Sequence, residues 1–211
     1  QSSQPTAKTD EDSFFSAILA LIAKIPQVTG VGLALPGTVD VKSGKVTACA
    51  TLPFLEHQSV VNLLQQHCKL PITVTNDGDA AALAEHWQGE LSGVTNGAMV
   101  VLGTGIGAAL FLNGHLYLGA SEPSFMVLDG VAPVTRANTA APLSAVNTVS
   151  AMAKAMHITG DDQGQQVFAQ LPKAPAAVDD ILTTFIQGVA AMIYNMHTLL
   201  GLEKVVIGGG I

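Results

Sequence analysis

Three closely spaced glycines constrain the fold of this chain more than any other feature of the sequence. They lie in the run Gly103-Thr104-Gly105-Ile106-Gly107, between the apolar stretches 98–102 and 108–112. Asn113-Gly114 follows, and this dipeptide is a strong signal for a tight turn between two strands. The pattern therefore predicts a strand, a glycine loop, a second strand, a turn and a short third strand at 115–118.

The glycine loop has three possible interpretations. Residues 103–108 match the dinucleotide fingerprint G-x-G-x-x-A, but that fingerprint requires a helix directly after the loop, and here a strand and a turn follow. A Gly-rich bend between strands is the usual explanation of such a loop. The interpretation that fits the strand context better is a phosphate-binding loop, because glycine lets backbone N–H groups approach an anion and Thr104 adds a hydroxyl donor.

A second polar motif lies where the β-branched stretch 72–75 meets the Ala-rich stretch 80–89. Asn76 and Asp77 suit a helix cap, and Asp77 and Asp79 complement the helix dipole. A carboxylate at the carboxyl end of a strand can instead accept a proton from a substrate hydroxyl. Asp77-x-Asp79 also matches the D-x-D metal pair of some sugar-nucleotide transferases, so a metal-dependent transferase is a further candidate.

Composition narrows the class of protein. The chain has 211 residues, of which 48% are hydrophobic and only 12% are charged, and its formal net charge is -7. Such a chain can bury a core, as one domain or two small lobes. An acidic surface with one arginine, Arg136, argues against binding of nucleic acid. Cys49 and Cys68 lack metal-ligand spacing, which argues against structural zinc and favours a reduced, cytoplasmic setting.

The hydropathy of the sequence argues against a membrane protein. The apolar stretch 97–112 is interrupted by glycines and is too short to span a bilayer, so we expect a soluble protein. Periodicity predicts a mixed α/β or α+β chain with two lobes, 1–94 and 95–211, and Trp87 packed along its helix. Helices are predicted at 13–24, 60–67, 80–89, 144–157, 165–171 and 178–200, and strands at 28–35, 72–75, 98–102, 108–112, 115–118 and 204–207.

The order of the motifs resembles the ROK family of sugar kinases and sugar-responsive repressors. Residues 30–40 match the family's G-x-G-x-x-x-P-G-x-V-D signature, and Asn76-Asp77 follows at the end of a strand. The glycine loop, an N-G-x-L-x-x-G-A run at 113–120 and a G-G-G-I element at 208–211 complete the series. The resemblance implies an actin-like, ribonuclease H-like α/β fold, with ATP in a cleft between two lobes.

The same resemblance implies a role for individual residues. Asp77 corresponds to the general base that takes a proton from a sugar hydroxyl, and Asn76 and Glu122 correspond to sugar ligands. ATP phosphates would lie at Gly103, Thr104 and Gly105, and the nucleoside near Gly208, Gly209 and Gly210. The implied activity is ATP- and Mg²⁺-dependent phosphorylation of a hexose or amino-hexose by a homodimer. The alternative is a non-catalytic, sugar-sensing regulator.

Two departures from the family pattern stand out. Phe125 occupies the slot of the family's zinc-binding histidine, and 129–150 contains no cysteine, so we expect no zinc. No D-x-G-G-T motif occurs, although in the family its aspartate serves Mg²⁺. We therefore expect the sequence to be an interior part of a longer gene product, with the smaller lobe lacking its first hairpin and the larger lobe its C-terminal part.

Overall fold

The computed structural model describes residues 5–7, 9–119, 123–128 and 139–209. The chain forms two compact units, 1–80 and 81–211. The sequence places the boundary between lobes after residue 94, whereas the structural division follows Ala80. The difference arises because residues beyond Ala80 pack under the sheet of the second unit, where one cluster holds Ala82, Leu91, Met99, Ala109 and Phe111.

The first unit contains two small sheets with helices. Its elements are α1 (Glu11–Ala23), β1 (Val31–Leu35), β2 (Thr38–Asp40), β3 (Lys45–Ala48), α2 (Val60–Gln65), β4 (Ile72–Asn76) and the start of α3 (Asp77–Gln88). Strands β1 and β4 are parallel, and their last pair is Leu35 opposite Asn76. Strands β2 and β3 form an antiparallel hairpin. The carboxyl ends of β1 and β4 therefore lie side by side.

Side-chain alternation and helix caps explain these elements. Ile72 and Val74 are buried while Thr73 between them is exposed, so β4 packs one face against the core. Asp10 caps α1, with its Oδ1 accepting the N–H of Ser13 at 2.8 Å. One apolar cluster joins the elements: Phe14, Phe15, Leu35, Val46, Cys49, Leu52, Leu55, Val60, Leu64, Ile72 and Val74.

The second unit is built on a mixed sheet of four strands. Its elements are β5 (Gly97–Leu102), β6 (Ile106–Leu112), β7 (His115–Leu116), α4 (Ala145–Ala155), α5 (Gln163–Gln170), α6 (Ala176–Leu200) and β8 (Lys204–Gly208). The strand order is β7-β6-β5-β8, and β8 lies parallel to β5 while the other pairs are antiparallel. The predicted strand, loop, strand and turn around the three glycines are confirmed.

Helix α6 packs against α4 and the sheet. Its residues Val189, Met192 and Met196 are buried in the same cluster as Val100 and Leu102 of β5. By length and composition α6 is the one helix in the described part of the chain that could cross a membrane, a possibility that the sequence analysis missed. Because an apolar core helix of a soluble protein meets the same criteria, this is weak evidence for a membrane span.

Candidate functional site

The side chain of Asn76 joins three pieces of backbone at the end of β4. Its Oδ1 accepts the N–H groups of Gly78 at 2.7 Å and Asp79 at 3.2 Å. Its Nδ2 donates to the carbonyl of Gly37 at 2.8 Å. The first two bonds are a helix cap, and they explain why α3 begins at Asp77, three residues before the predicted start. The third bond joins two segments that are remote in sequence.

Asp77 occupies the first position of α3 and is exposed to solvent. Its Oδ1 lies 3.0 Å from the N–H of Gly78, the same group that Asn76 caps. Among the described residues no other hydrogen bond holds the carboxylate. Asp77 therefore keeps acceptor capacity for a substrate hydroxyl, and its place at the carboxyl end of a parallel strand is where α/β proteins usually bind ligands.

Asp79 has a different environment from Asp77. It is partly buried, and burial, together with the negative charge of Asp77, raises the pKa of its carboxyl group above the usual value. A carboxylate with a raised pKa contributes stability that is present at low pH and is lost as the pH rises through the folded-state pKa. At neutral pH the ionised Asp79 therefore opposes folding.

We predict that Asp79→Asn stabilises the protein at pH 7. The amide removes a poorly solvated charge and its repulsion with Asp77, and solvent screening keeps the gain to about 1–3 °C in Tm. Because the unfolded carboxyl group titrates near pH 3.8, the difference from wild type is expected to disappear below that pH. Thermal unfolding of both proteins at pH 7 and at about pH 3.5 measures the Tm difference at each pH. A lower Tm for the variant than for wild type at pH 7 would contradict the prediction.

The glycine loop in the second unit connects β5 and β6. Leu102 pairs with Ile106, so three residues make the connection. The Gly103 N–H donates to the Gly105 carbonyl at 2.9 Å, and the Gly103 carbonyl accepts the N–H of Val146, in the first turn of α4, at 3.4 Å. The amides of Thr104 and Gly105 have no hydrogen-bond partner among the described residues. Gly103 thus shapes the loop, while the next two amides are available to a ligand.

The glycines of this loop are not explained by the fold alone. A Cβ added at Gly103, Gly105 or Gly107 would meet no atom of the described residues within 4 Å, and none of the three has the positive φ that favours glycine. Alanine would therefore fit these positions in the protein as it stands. A ligand that approaches the backbone closely would account for glycine at these positions.

Gly208 and Gly209 lie beside the start of this loop. Gly208 ends β8 and pairs with Val101, the residue before Leu102. Gly209 has φ +133°, and a Cβ at this position would collide with the Leu102 carbonyl oxygen and lie 2.7 Å from its carbon. Gly209 is therefore required by a close contact between two backbones, unlike the glycines of the loop.

We predict that Gly209→Ala is strongly destabilising. The obstructing atoms belong to the Leu102 backbone, which is fixed in the sheet, so neither side can yield without breaking strand pairing. We expect a loss of about 2–4 kcal/mol in the free energy of unfolding, measured by denaturant titration. Gly103→Ala is the matched control and should unfold at the same denaturant concentration as wild type or at a slightly higher one. Equal stability of Gly209→Ala and wild type would contradict the described contact.

The structure leaves some predicted site residues undescribed. Glu122 and Gly210 lie outside the described residues, so their roles stay predictions. Asn76 and Asp77 are adjacent in the first unit, and Gly103, Thr104 and Gly105 lie in the second unit with Gly208 and Gly209. Within the described ranges there is no group of three or more side chains that could hold a metal ion.

Two features near Asn76 were not singled out by the sequence analysis. Gly37 has φ +90°, and a Cβ there would collide with the Ala48 carbonyl oxygen. The Thr75 hydroxyl is buried and has no hydrogen-bond partner among the residues that the structure describes. A Pro-Gly pair such as Pro36-Gly37 is typical of a turn, but nothing in the sequence predicted that Asn76 would reach this turn.

Comparison with known proteins supports the family assignment. The sequence model of the ROK family matches residues 1–211. The chain is 26% identical over 212 residues to a beta-glucoside kinase of Listeria monocytogenes, covering 96% of this chain and 71% of that protein. It is 30% identical over 111 residues to a xylose repressor of Caldicellulosiruptor bescii, covering 51% of this chain and 28% of the repressor.

Solved structures agree with the fold prediction. The structure of a ROK family glucokinase from Streptomyces griseus, in complex with glucose and AMPPNP, superposes with a TM-score of 0.77. That match covers 97% of this chain and 73% of the glucokinase at 20% identity, so it bears on the fold alone. The predicted actin-like, ribonuclease H-like α/β class is confirmed. The chain belongs to the ROK family.

Proposed function

We propose that the protein is an ATP-dependent sugar kinase that phosphorylates a hydroxyl of a hexose or an amino-hexose. The observation that carries the proposal is the glycine loop, where two amides without a partner in the described part of the chain lie beside glycines that the fold itself does not require. Relatives named beta-glucoside kinase and glucokinase support the same reaction class. The exposed Asp77 supplies the acceptor that such a reaction needs.

Phosphate binding is assigned to neutral donors. The amides of Thr104 and Gly105 and the Thr104 hydroxyl would hold phosphate oxygens, and Gly103 would keep the loop in shape. Oriented N–H dipoles stabilise negative charge without basic side chains, so the low Lys and Arg content of the chain is no obstacle. Gly208, Gly209 and Gly210 are assigned to the nucleoside, and the place of Gly208 and Gly209 beside the loop supports this assignment.

Sugar activation is assigned to the end of β4. The reacting hydroxyl oxygen attacks the γ-phosphorus, the bond from that phosphorus to the β–γ bridging oxygen breaks, and ADP leaves. Asp77 accepts the hydroxyl proton during this step. Asn76 has one amide N–H that is not used by the fold, and it would donate to a sugar oxygen. Glu122 is proposed as a further sugar ligand on the resemblance alone.

Other properties follow from the family resemblance. We propose that Mg²⁺ accompanies ATP and that no zinc is bound. The described residues offer no preformed metal cluster, so most Mg²⁺ ligands would be phosphate oxygens and water. We also propose a homodimer and a cytoplasmic location, with a sugar as the small-molecule substrate and no binding of nucleic acid or membrane by this segment.

A panel of sugars tests the proposal. The full-length protein is incubated with ATP and Mg²⁺, and ADP release is followed with glucose, mannose, glucosamine, their N-acetyl derivatives and β-glucosides. We expect sugar-dependent ADP release from at least one sugar, at about 1–100 per second. Calorimetric sugar binding without any ADP release would instead favour the sugar-sensing regulator.

A further inference from the structure

The amide of Asn76 has almost no hydrogen-bonding capacity left. An asparagine side chain offers two acceptor positions on oxygen and two N–H donors. Gly78 and Asp79 use both acceptor positions, and the Gly37 carbonyl uses one donor. Three of four positions are thus spent on the protein itself. A residue that served only as a sugar ligand would not be expected to have this arrangement.

The turn at Gly37 is held from two sides. On one side the Gly37 carbonyl accepts a hydrogen bond from the Asn76 side chain. On the other side the Gly37 backbone lies against Ala48 and Cys49, so closely that a Cβ added at Gly37 would lie 3.0 Å from the Cys49 Cα. The Cys49 N–H in turn donates to the Glu56 carboxylate at 2.9 Å. The Asn76 bond links this turn directly to the carboxyl end of β4, in addition to the pairing of Leu35 with Asn76 in the sheet.

Asn76 and Asp77 share a donor. The N–H of Gly78 lies 2.7 Å from Asn76 Oδ1 and 3.0 Å from Asp77 Oδ1. A Cβ at Gly78 would lie 3.0 Å from Asn76 Oδ1, so this junction is tightly packed. A change in the Asn76 amide would therefore alter the one hydrogen bond described for the Asp77 carboxylate.

We propose that Asn76 is a positioning residue, whose amide ties the Gly37 turn to the first turn of α3 and so orients the Asp77 carboxylate. We call this set of bonds from Asn76 to Gly37, Gly78 and Asp79 the Asn76 clasp. The inference rests on the proposed function, because the orientation of Asp77 matters only if Asp77 accepts a proton. It goes beyond that function by giving Asn76 a role that acts through Asp77.

The variant Asn76→Ser is expected to keep the helix cap and to lose the hydrogen bond to the Gly37 carbonyl. Serine is a good helix cap, so α3 should still begin at Asp77, but its short side chain cannot reach the Gly37 carbonyl. We expect kcat to fall by about 10- to 100-fold, because a small misplacement of a reacting group is costly. Asn76→Asp keeps the helix cap but has no N–H to donate to the Gly37 carbonyl, so it should also lower kcat. Asn62→Asp on the exposed face of α2 is the matched control and should leave kcat unchanged.

A double-mutant cycle distinguishes positioning from direct sugar binding. If Asn76 acts through Asp77, adding Asn76→Ser to Asp77→Asn should lower the residual kcat by less than about twofold. A sugar ligand that acts independently would show the same loss in both backgrounds. Full additivity, or an effect confined to the KM for sugar, would overturn the proposal.

Hydrogen exchange tests the clasp without any reference to activity. Asn76→Ser should speed exchange of the amides at 37–39 by about tenfold, while amides in the body of α3 stay protected. Unchanged exchange at 37–39 would show that Asn76 does not hold the turn. If the wild-type protein phosphorylates no sugar, the proposed function and the positioning role of Asn76 both fail. The hydrogen-exchange experiment still decides, without any activity, whether the Asn76 clasp exists.

Discussion

Asp77→Asn is expected to lower kcat by about 10²–10⁴-fold while leaving the KM for sugar close to that of wild type. The amide cannot accept a proton from the reacting hydroxyl, and general-base catalysis contributes a rate factor of this size. Folding should be retained, because an asparagine Oδ1 can accept the same Gly78 N–H that Asp77 accepts. Steady-state kinetics with the best sugar of the panel, together with a thermal unfolding curve, measure both effects.

Asp79→Asn is the matched control for this experiment. It removes a carboxylate from the same turn of α3, and we expect it to keep kcat within a few-fold of wild type. Equal loss of activity in the two variants would show that the acidic turn as a whole matters and that Asp77 has no special role. Retained turnover in a folded Asp77→Asn protein would remove Asp77 as the base.

Gly105→Ala is expected to separate stability from nucleotide binding. The added methyl group meets no atom within 4 Å in the part of the chain that the structure describes. The smaller conformational entropy of the unfolded chain should leave the variant as stable as wild type or more stable by about 0.4–1 kcal/mol. The same methyl group would occupy space that a phosphate needs. We expect kcat/KM for ATP to fall by about 10- to 1000-fold, as for the loss of a preorganised donor.

Gly32→Ala controls for the substitution itself. Gly32 is exposed in β1, has no positive φ, and would place its Cβ 3.9 Å from the Thr73 hydroxyl oxygen, which is ordinary contact. We expect this variant to keep its ATP affinity, measured by calorimetry. Should Gly105→Ala bind ATP as wild type does, the loop would be a bend between strands and no phosphate site.

The glycine loop and its two flanking strands could be predicted from the sequence, because the residues that specify them are close together in the chain. Glycines between two apolar stretches, followed by Asn113-Gly114, leave few alternatives to an antiparallel pair. No strand was predicted at 38–40 or 45–48, so the hairpin of β2 and β3 was missed. Its strands have three and four residues, and Val46 is their one buried side chain, so hydrophobic alternation is too short to detect.

Contacts between remote segments could not be predicted. The Asn76 clasp joins residues 39 positions apart, and no spacing rule connects an asparagine at a strand end with a particular turn. The prediction that Trp87 packs along its helix is wrong, because its side chain is 76% exposed. Helical periodicity gives the face of a helix, but which face is covered depends on tertiary packing that the pattern does not contain.

The fate of the terminal phosphate of ATP tests most directly whether the protein transfers this phosphate to a sugar. The full-length protein is incubated with ATP, Mg²⁺ and its best sugar, and the products are identified by phosphorus NMR and mass spectrometry. We predict one sugar monophosphate for each ADP formed, with both products lost in Asp77→Asn. Sugar that is bound but never phosphorylated, or inorganic phosphate released at the same rate with and without sugar, would contradict it.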